Sequence, residues 1–190
     1  MKPQAFAKVI PGLAIVFFLL SAGLLAAQNK DSAAISKLLT QVKNHAALAS
    51  DDAATLDSYA RSRLDPSTHG DQLNLMRKHV NNLITDANEM ISLRHEGSPW
   101  QQNAIDRIEP LLPVMAEHLT NTINHFNDNR HQIQMPEYRD YVSANQNMIE
   151  NAYQLIKTYE SYAQAMAKAD ALEKEIGLPS SSTEAENVEQ

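Results

Sequence analysis

Residues 136–177 read PEYRDYVSANQNMIENAYQLIKTYESYAQAMAKADALEKEIG. Within them Tyr141, Asn145, Met148, Ala152, Leu155, Tyr159, Tyr162, Met166 and Ala169 recur at alternating spacings of four and three. A turn of 3.6 residues gathers such positions onto one stripe, so the spacing predicts a single helix with a coiled-coil-like seam from Pro136 to Ile176. Pro136 suits the first helical position because its missing N–H would have no partner there, while Gly177 and Pro179 supply a stop and a breaker. At 1.5 Å per residue the helix is roughly 60 Å long, more than a small globular domain spans. It needs other long helices alongside.

The upstream chain supplies them. Ile35, Leu39, Val42, Ala46, Ala49, Ala53, Leu56 and Ala60 form a stripe on a helix predicted over 32–63, capped by Asp31 or Ser32. The run Asp65-Pro66-Ser67-Thr68-His69-Gly70 has turn composition, and a second helix is expected from about Asp71 to His95, with Leu73, Met76, Val80, Leu83, Ala87 and Met90 inward. Ser98-Pro99-Trp100-Gln101 then gives an N-cap serine, a proline at the first helical position and a glutamine able to return the hydrogen bond. The third helix points Ile105, Ile108, Leu112, Met115, Leu119, Thr122 and Phe126 inward and frays near His131. Pro110 and Pro113 lie inside that pattern and predict a kink near Glu109 to Leu112. Linkers of a few residues at 64–70, 96–98 and 132–135 make each helix turn back on its predecessor. The expected fold is all-α, an up-down-up-down antiparallel four-helix bundle over 32–177 with a proline-kinked third helix.

The flanks read differently. Residues 1–27 carry Lys2 and Lys8, an apolar run from Leu13 to Leu20 and a small-residue exit, the pattern of a secretory signal peptide. Retained instead of cut, the apolar stretch 9–27 is long enough for an N-terminal anchor with the lysines on the cytoplasmic side. Either way the domain is expected outside the cytoplasm, periplasmic or extracellular, and membrane contact is expected only if that segment stays. Residues 28–31 form a short linker, and 178–190 are acidic, lack a stripe and read as a disordered tail.

Composition narrows the chemistry. The formal net charge of the chain is −7, more acidic still once Lys2 and Lys8 are removed, which argues against nucleic acid as a partner. With no cysteine, disulfides, thiol catalysis, Cys-ligated zinc, iron–sulfur clusters and covalently attached c-type haem are excluded. No nucleophile elbow, phosphate loop or dinucleotide fingerprint occurs, and no pair of histidines has the H-E-x-x-H spacing. The expectation is a non-enzymatic protein without a cofactor.

The segment Ser98 to Ile108, with His69, Gln72-Leu73-Asn74 and His79-Val80-Asn81 before it and Pro136 to Val142 after it, resembles a group of uncharacterised secreted bacterial helical-bundle proteins. The resemblance spans roughly residues 50–175. It implies an exported bacterial bundle, and it carries over no activity and no site residues.

Two candidate sites remain. Trp100 follows a cap at a helix start, and Tyr159 and Tyr162 stand on the long helix; these three are the candidate interaction residues, the partner being an envelope protein or a second copy of the chain. His118 and His125 share a face of the third helix, and His79 on the second could join them as a metal or small-ligand site. The plainer reading of these histidines is that they cover the core edge. Asn145, polar at a stripe position, is expected to fix register unless the stripe rotates to bring Val142 inward. Asp106, Arg107, Arg139 and Asp140 read as surface or interhelical ion pairs.

Overall fold

The computed structural model describes residues 30–62 and 64–177. The expected signal segment 1–27, positions 28 and 29 of the linker and the tail 178–190 lie outside the described residues. Within them all regular structure is helical: α1 (Ala33–Ala60), α2 (Pro66–Ser92), α3 (Pro99–Ile108), α4 (Leu111–Asp128) and α5 (Pro136–Glu175), with 3-10 turns at Arg94–Glu96 and Arg130–Gln132. No described helix is long and apolar enough to cross a membrane.

Each helix starts where its sequence supplies a start signal. Ser32 caps α1, its hydroxyl accepting from the Ile35 N–H at 3.5 Å. Asp65, in extended conformation, precedes Pro66 at the first turn of α2. This corrects the turn expected over 65–70. Proline at the first helical position loses no hydrogen bond, so Ser67 to Gly70 are already helical and His69 is carried into the core. Ser98 and Pro99 open α3, and the Gln101 side chain returns the bond to the Ser98 N–H at 3.0 Å.

The stripes of α1 and α2 are buried as expected, and so are the seven apolar and Thr positions of α3 and α4. Regular helix lapses at Glu109 and Pro110, between α3 and α4. Pro110 has no N–H to give, and the Leu112 N–H closes a short turn onto the Glu109 carbonyl at 3.2 Å. Pro113 falls in the first turn of α4, where its lack of a donor costs nothing.

The buried face of α5 is the main correction. It consists of Tyr138, Val142, Asn145, Ile149, Ala152, Ile156 and Glu160. Only Asn145 and Ala152 belong to the expected stripe; elsewhere the face is displaced by about one residue. Both stripes repeat every seven residues, so spacing alone does not separate them. Aliphatic Val142, Ile149 and Ile156 fill the seam, while Met148, Tyr153 and Tyr159 pack on its margin. Tyr141 and Tyr162 are left exposed.

Polar pairs fix how the helices meet. Along α1 and α5, Lys43 pairs with Glu160 at 3.3 Å, Ser50 bonds Glu150, and the Ser143 hydroxyl donates to Asp57 at 2.8 Å. Between α1 and α2, Asp52 takes His79 at 2.6 Å, and His45 lies 3.4 Å from Asp86. Between α4 and α5, the Asn145 amide donates to the His118 carbonyl at 2.9 Å and to the Thr122 hydroxyl. In the α1–α5 and α1–α2 sets the partner's number falls as α1 is followed forward. Asn145 is 1% exposed, so both the rotation and the buried asparagine hold together. Its two donated bonds meet a helix carbonyl and a hydroxyl at one level of α4, a position one residue along would miss.

Candidate functional site

The displacement of the α5 stripe leaves a concave feature where α3 meets α5. Trp100, Asn103 and Arg107 from α3 face Leu155, Tyr159 and Tyr162 from α5 across an open groove of about 600 Å³. On α3 these residues stand three and four apart, hence on one face. The Trp100 and Tyr162 rings meet edge-on, 5.5 Å between centroids and 67° between planes, a geometry worth about 0.5–1.5 kcal/mol beyond burial. The Tyr159 hydroxyl donates to Asn103 Oδ1 at 2.6 Å, and the Trp100 indole N–H donates to Asp31 Oδ1 at 2.7 Å. Both polar tips are satisfied at the rim, so the groove between them is apolar with polar edges. Trp100, Tyr159 and Tyr162 are thus brought together. Asn103, Arg107 and Leu155 were not singled out in the sequence, although Asn103 and Arg107 follow Trp100 at helical spacing.

Gln101 holds this end in place. It is fully buried, and its amide makes four bonds. Its Oε1 accepts from the N–H groups of Ser98 at 3.0 Å and Ser32 at 2.8 Å, while Nε2 donates to the Ser32 carbonyl and the Ser36 hydroxyl, both at 3.0 Å. The residue expected to close a local capping box therefore also ties the start of α1 to the start of α3. Close packing completes the joint. A Cβ on Gly97 would lie 2.9 Å from Ile35 Cδ1 and 3.1 Å from Gln101 Cβ, so only glycine fits without a shift.

The histidines do not form a ligand set. His79 is engaged with Asp52 of α1. His125 stacks on Tyr138 and Tyr141 of α5, with ring centroids 6.2 Å and 4.7 Å away, and lies 4.0 Å from Glu137. His118 contributes its backbone carbonyl to Asn145 and Thr122. Among the described residues no three His, Cys, Asp or Glu side chains gather as a metal site. The candidate set His79, His118 and His125 is corrected accordingly: the His79 ring meets a carboxylate of α1, the His125 ring meets tyrosines of α5, and the three are not gathered at one point.

At the opposite end His69 is fully buried, its Nδ1 3.1 Å from the Tyr138 hydroxyl and its ring 6.0 Å from that of Tyr59. Burial holds the His69 imidazole below its ordinary pKa and pushes the Tyr138 phenol up, so both stay neutral. A small polar hollow beside them involves Asp57, Arg61, Arg139, Asp140 and Ser143. The Arg61 guanidinium, 2.7 Å from Asp57, together with the Ser143 hydroxyl holds the Asp57 carboxyl below the usual range. Asp106 pairs not with a neighbour on α3 but with Arg94, through two bonds of 2.6 and 2.7 Å at the surface.

Comparison with protein-family models, with curated proteins and with solved structures found no match to this chain.

Proposed function

We propose that this is a non-enzymatic, exported helical-bundle protein of the bacterial cell envelope that acts by binding another protein through the groove of Trp100, Tyr159 and Tyr162. In this reading α1, α2, the α3–α4 limb and α5 run up-down-up-down, the third limb bent at Pro110, as the descending register of the polar pairs supports. The observation that carries the role is the groove itself. It is apolar, rimmed by satisfied polar groups and centred on one Trp and two Tyr, the residue types that concentrate binding energy in protein interfaces. Export rests on residues 1–27, and kinship with the secreted bacterial group rests on the segments around Ser98 to Ile108 and Pro136 to Val142.

The test is site-directed photocrosslinking in intact cells. A photoreactive residue replacing Tyr162 is expected to give a discrete adduct, and one replacing Lys78 on the exposed face of α2 is expected to give none. Equal labelling from both positions, or none from either, overturns the proposal.

A further inference from the structure

We infer that the occupant of the groove is a second copy of this chain, the terminal turns of α5 in one protomer lying antiparallel across the groove of the other. The inference rests on the interaction role proposed above and names its partner.

No residue of α5 after Glu160 is buried. These turns nevertheless keep an apolar stripe of Tyr162, Met166, Ala169, Leu172 and Ile176, with Leu172 49% and Ile176 69% exposed. A solvated helix end has no use for aliphatic side chains at that spacing. The stripe continues without a break from Leu155 and Tyr159, which line the groove. Groove and exposed stripe are therefore successive parts of one helix face. A two-fold axis crossing α5 near Met166 covers both in each protomer with a single operation, giving an isologous contact that closes on itself.

Length and charge agree. From Ala163 to Ile176 the helix rises roughly 20 Å, enough to cover the roughly 10 Å from Leu155 to Tyr162. Arg107 stands at the groove, whereas the terminal turns carry Asp170 and Glu173 toward the side of the helix that Tyr159 occupies. Residues equidistant from Met166 come level in an antiparallel pair, which sets Glu173 of one protomer level with Tyr159, at the groove of the other.

The chain has no cysteine, so single thiols report the contact directly. Met166→Cys, close to the axis, is expected to form an intermolecular disulfide in air at least tenfold faster than Leu48→Cys, an exposed position on α1. Sedimentation equilibrium of the wild-type protein is expected to give twice the chain mass, and the double variant Leu172→Glu, Ile176→Glu to give the monomer. Both positions are exposed, so the helical circular dichroism of that variant at low concentration should match wild type. A wild-type protein monomeric at 100 μM, a dimer indifferent to the double variant, or equal crosslinking from both cysteines overturns the inference. A monomer whose Tyr162 photoprobe captures a different protein, or its own N-terminal segment, also overturns it. The foreign adduct leaves the interaction role standing; absence of any adduct removes both.

Discussion

Replacing Gln101 tests the joint that builds the groove. The side chain is fully buried and makes four hydrogen bonds of 2.8 to 3.0 Å, two of them to the backbone of Ser32. A net bond contributes about 1 kcal/mol, and the freed groups at helix starts regain some water, so Gln101→Ala should cost about 2–4 kcal/mol. For a domain of this size 1 kcal/mol corresponds to about 2–4 °C in Tm, which predicts a fall of roughly 4–16 °C. Gln101→Met separates bonding from packing, because it keeps the volume and loses every bond. It should fall by at least about 5 °C by the same conversion. Tm is read from circular dichroism at 222 nm, and the near-ultraviolet signal of Trp100, the only tryptophan, reports whether its contact with Asp31 persists. A Gln101→Met variant within about 2 °C of wild type would refute the reasoning, since packing alone would then hold the two helix starts together.

Other substitutions probe the remaining polar core. Asn145→Asp replaces a donor by a carboxylate facing the His118 carbonyl and the Thr122 hydroxyl; a buried unpaired charge should cost at least about 3 kcal/mol in urea unfolding at pH 7, less at pH 4, and an unchanged midpoint would contradict the assigned bonds. His69 has a depressed folded-state pKa through burial, so the unfolded chain binds its proton first. Its contribution is level above its ordinary value and declines as pH falls below about 6.5, so the urea midpoint of His69→Gln should drop less between pH 7.5 and 5 than that of wild type. Gly97→Ala forces a methyl to within 2.9 Å of Ile35 Cδ1 and 3.3 Å of the Arg94 carbonyl, and overpacking there should lower stability by about 1–3 kcal/mol. A Gly97→Ala Tm equal to or above wild type would show that the α1–α3 joint can shift without cost.

Much of the fold was legible because its signals are local. Ser98-Pro99 with Gln101 marks a helix start whatever surrounds it, and the stripes of α1 and α2 are unambiguous because one aliphatic series stands out in each. The start of α2 is not legible in the sequence because Pro66 to Gly70 have turn composition; proline fits a first helical turn as well as a loop, and neighbouring residues do not distinguish the two. The groove was half legible. Trp100, Tyr159 and Tyr162 stood out as large amphipathic side chains, but Asn103, Arg107 and Leu155 acquire meaning only when α3 lies against α5.

The sequence alone determined the helical periodicity, the length of α5, the absence of thiol chemistry and the lapse at Pro110, each a property of neighbouring residues or composition. The tertiary structure decided the rotation of α5. Two seven-residue stripes, one led by Tyr141, Met148 and Leu155 and the other by Val142, Ile149 and Ile156, are adjacent on the same helix and equally periodic. Which one is buried depends on how well it packs on α1 and α4, and on where Asn145 meets the His118 carbonyl. That choice between neighbouring faces turned Tyr141 and Tyr162 outward and left Tyr159 at the margin, and so placed an aromatic groove on the surface rather than another layer in the core.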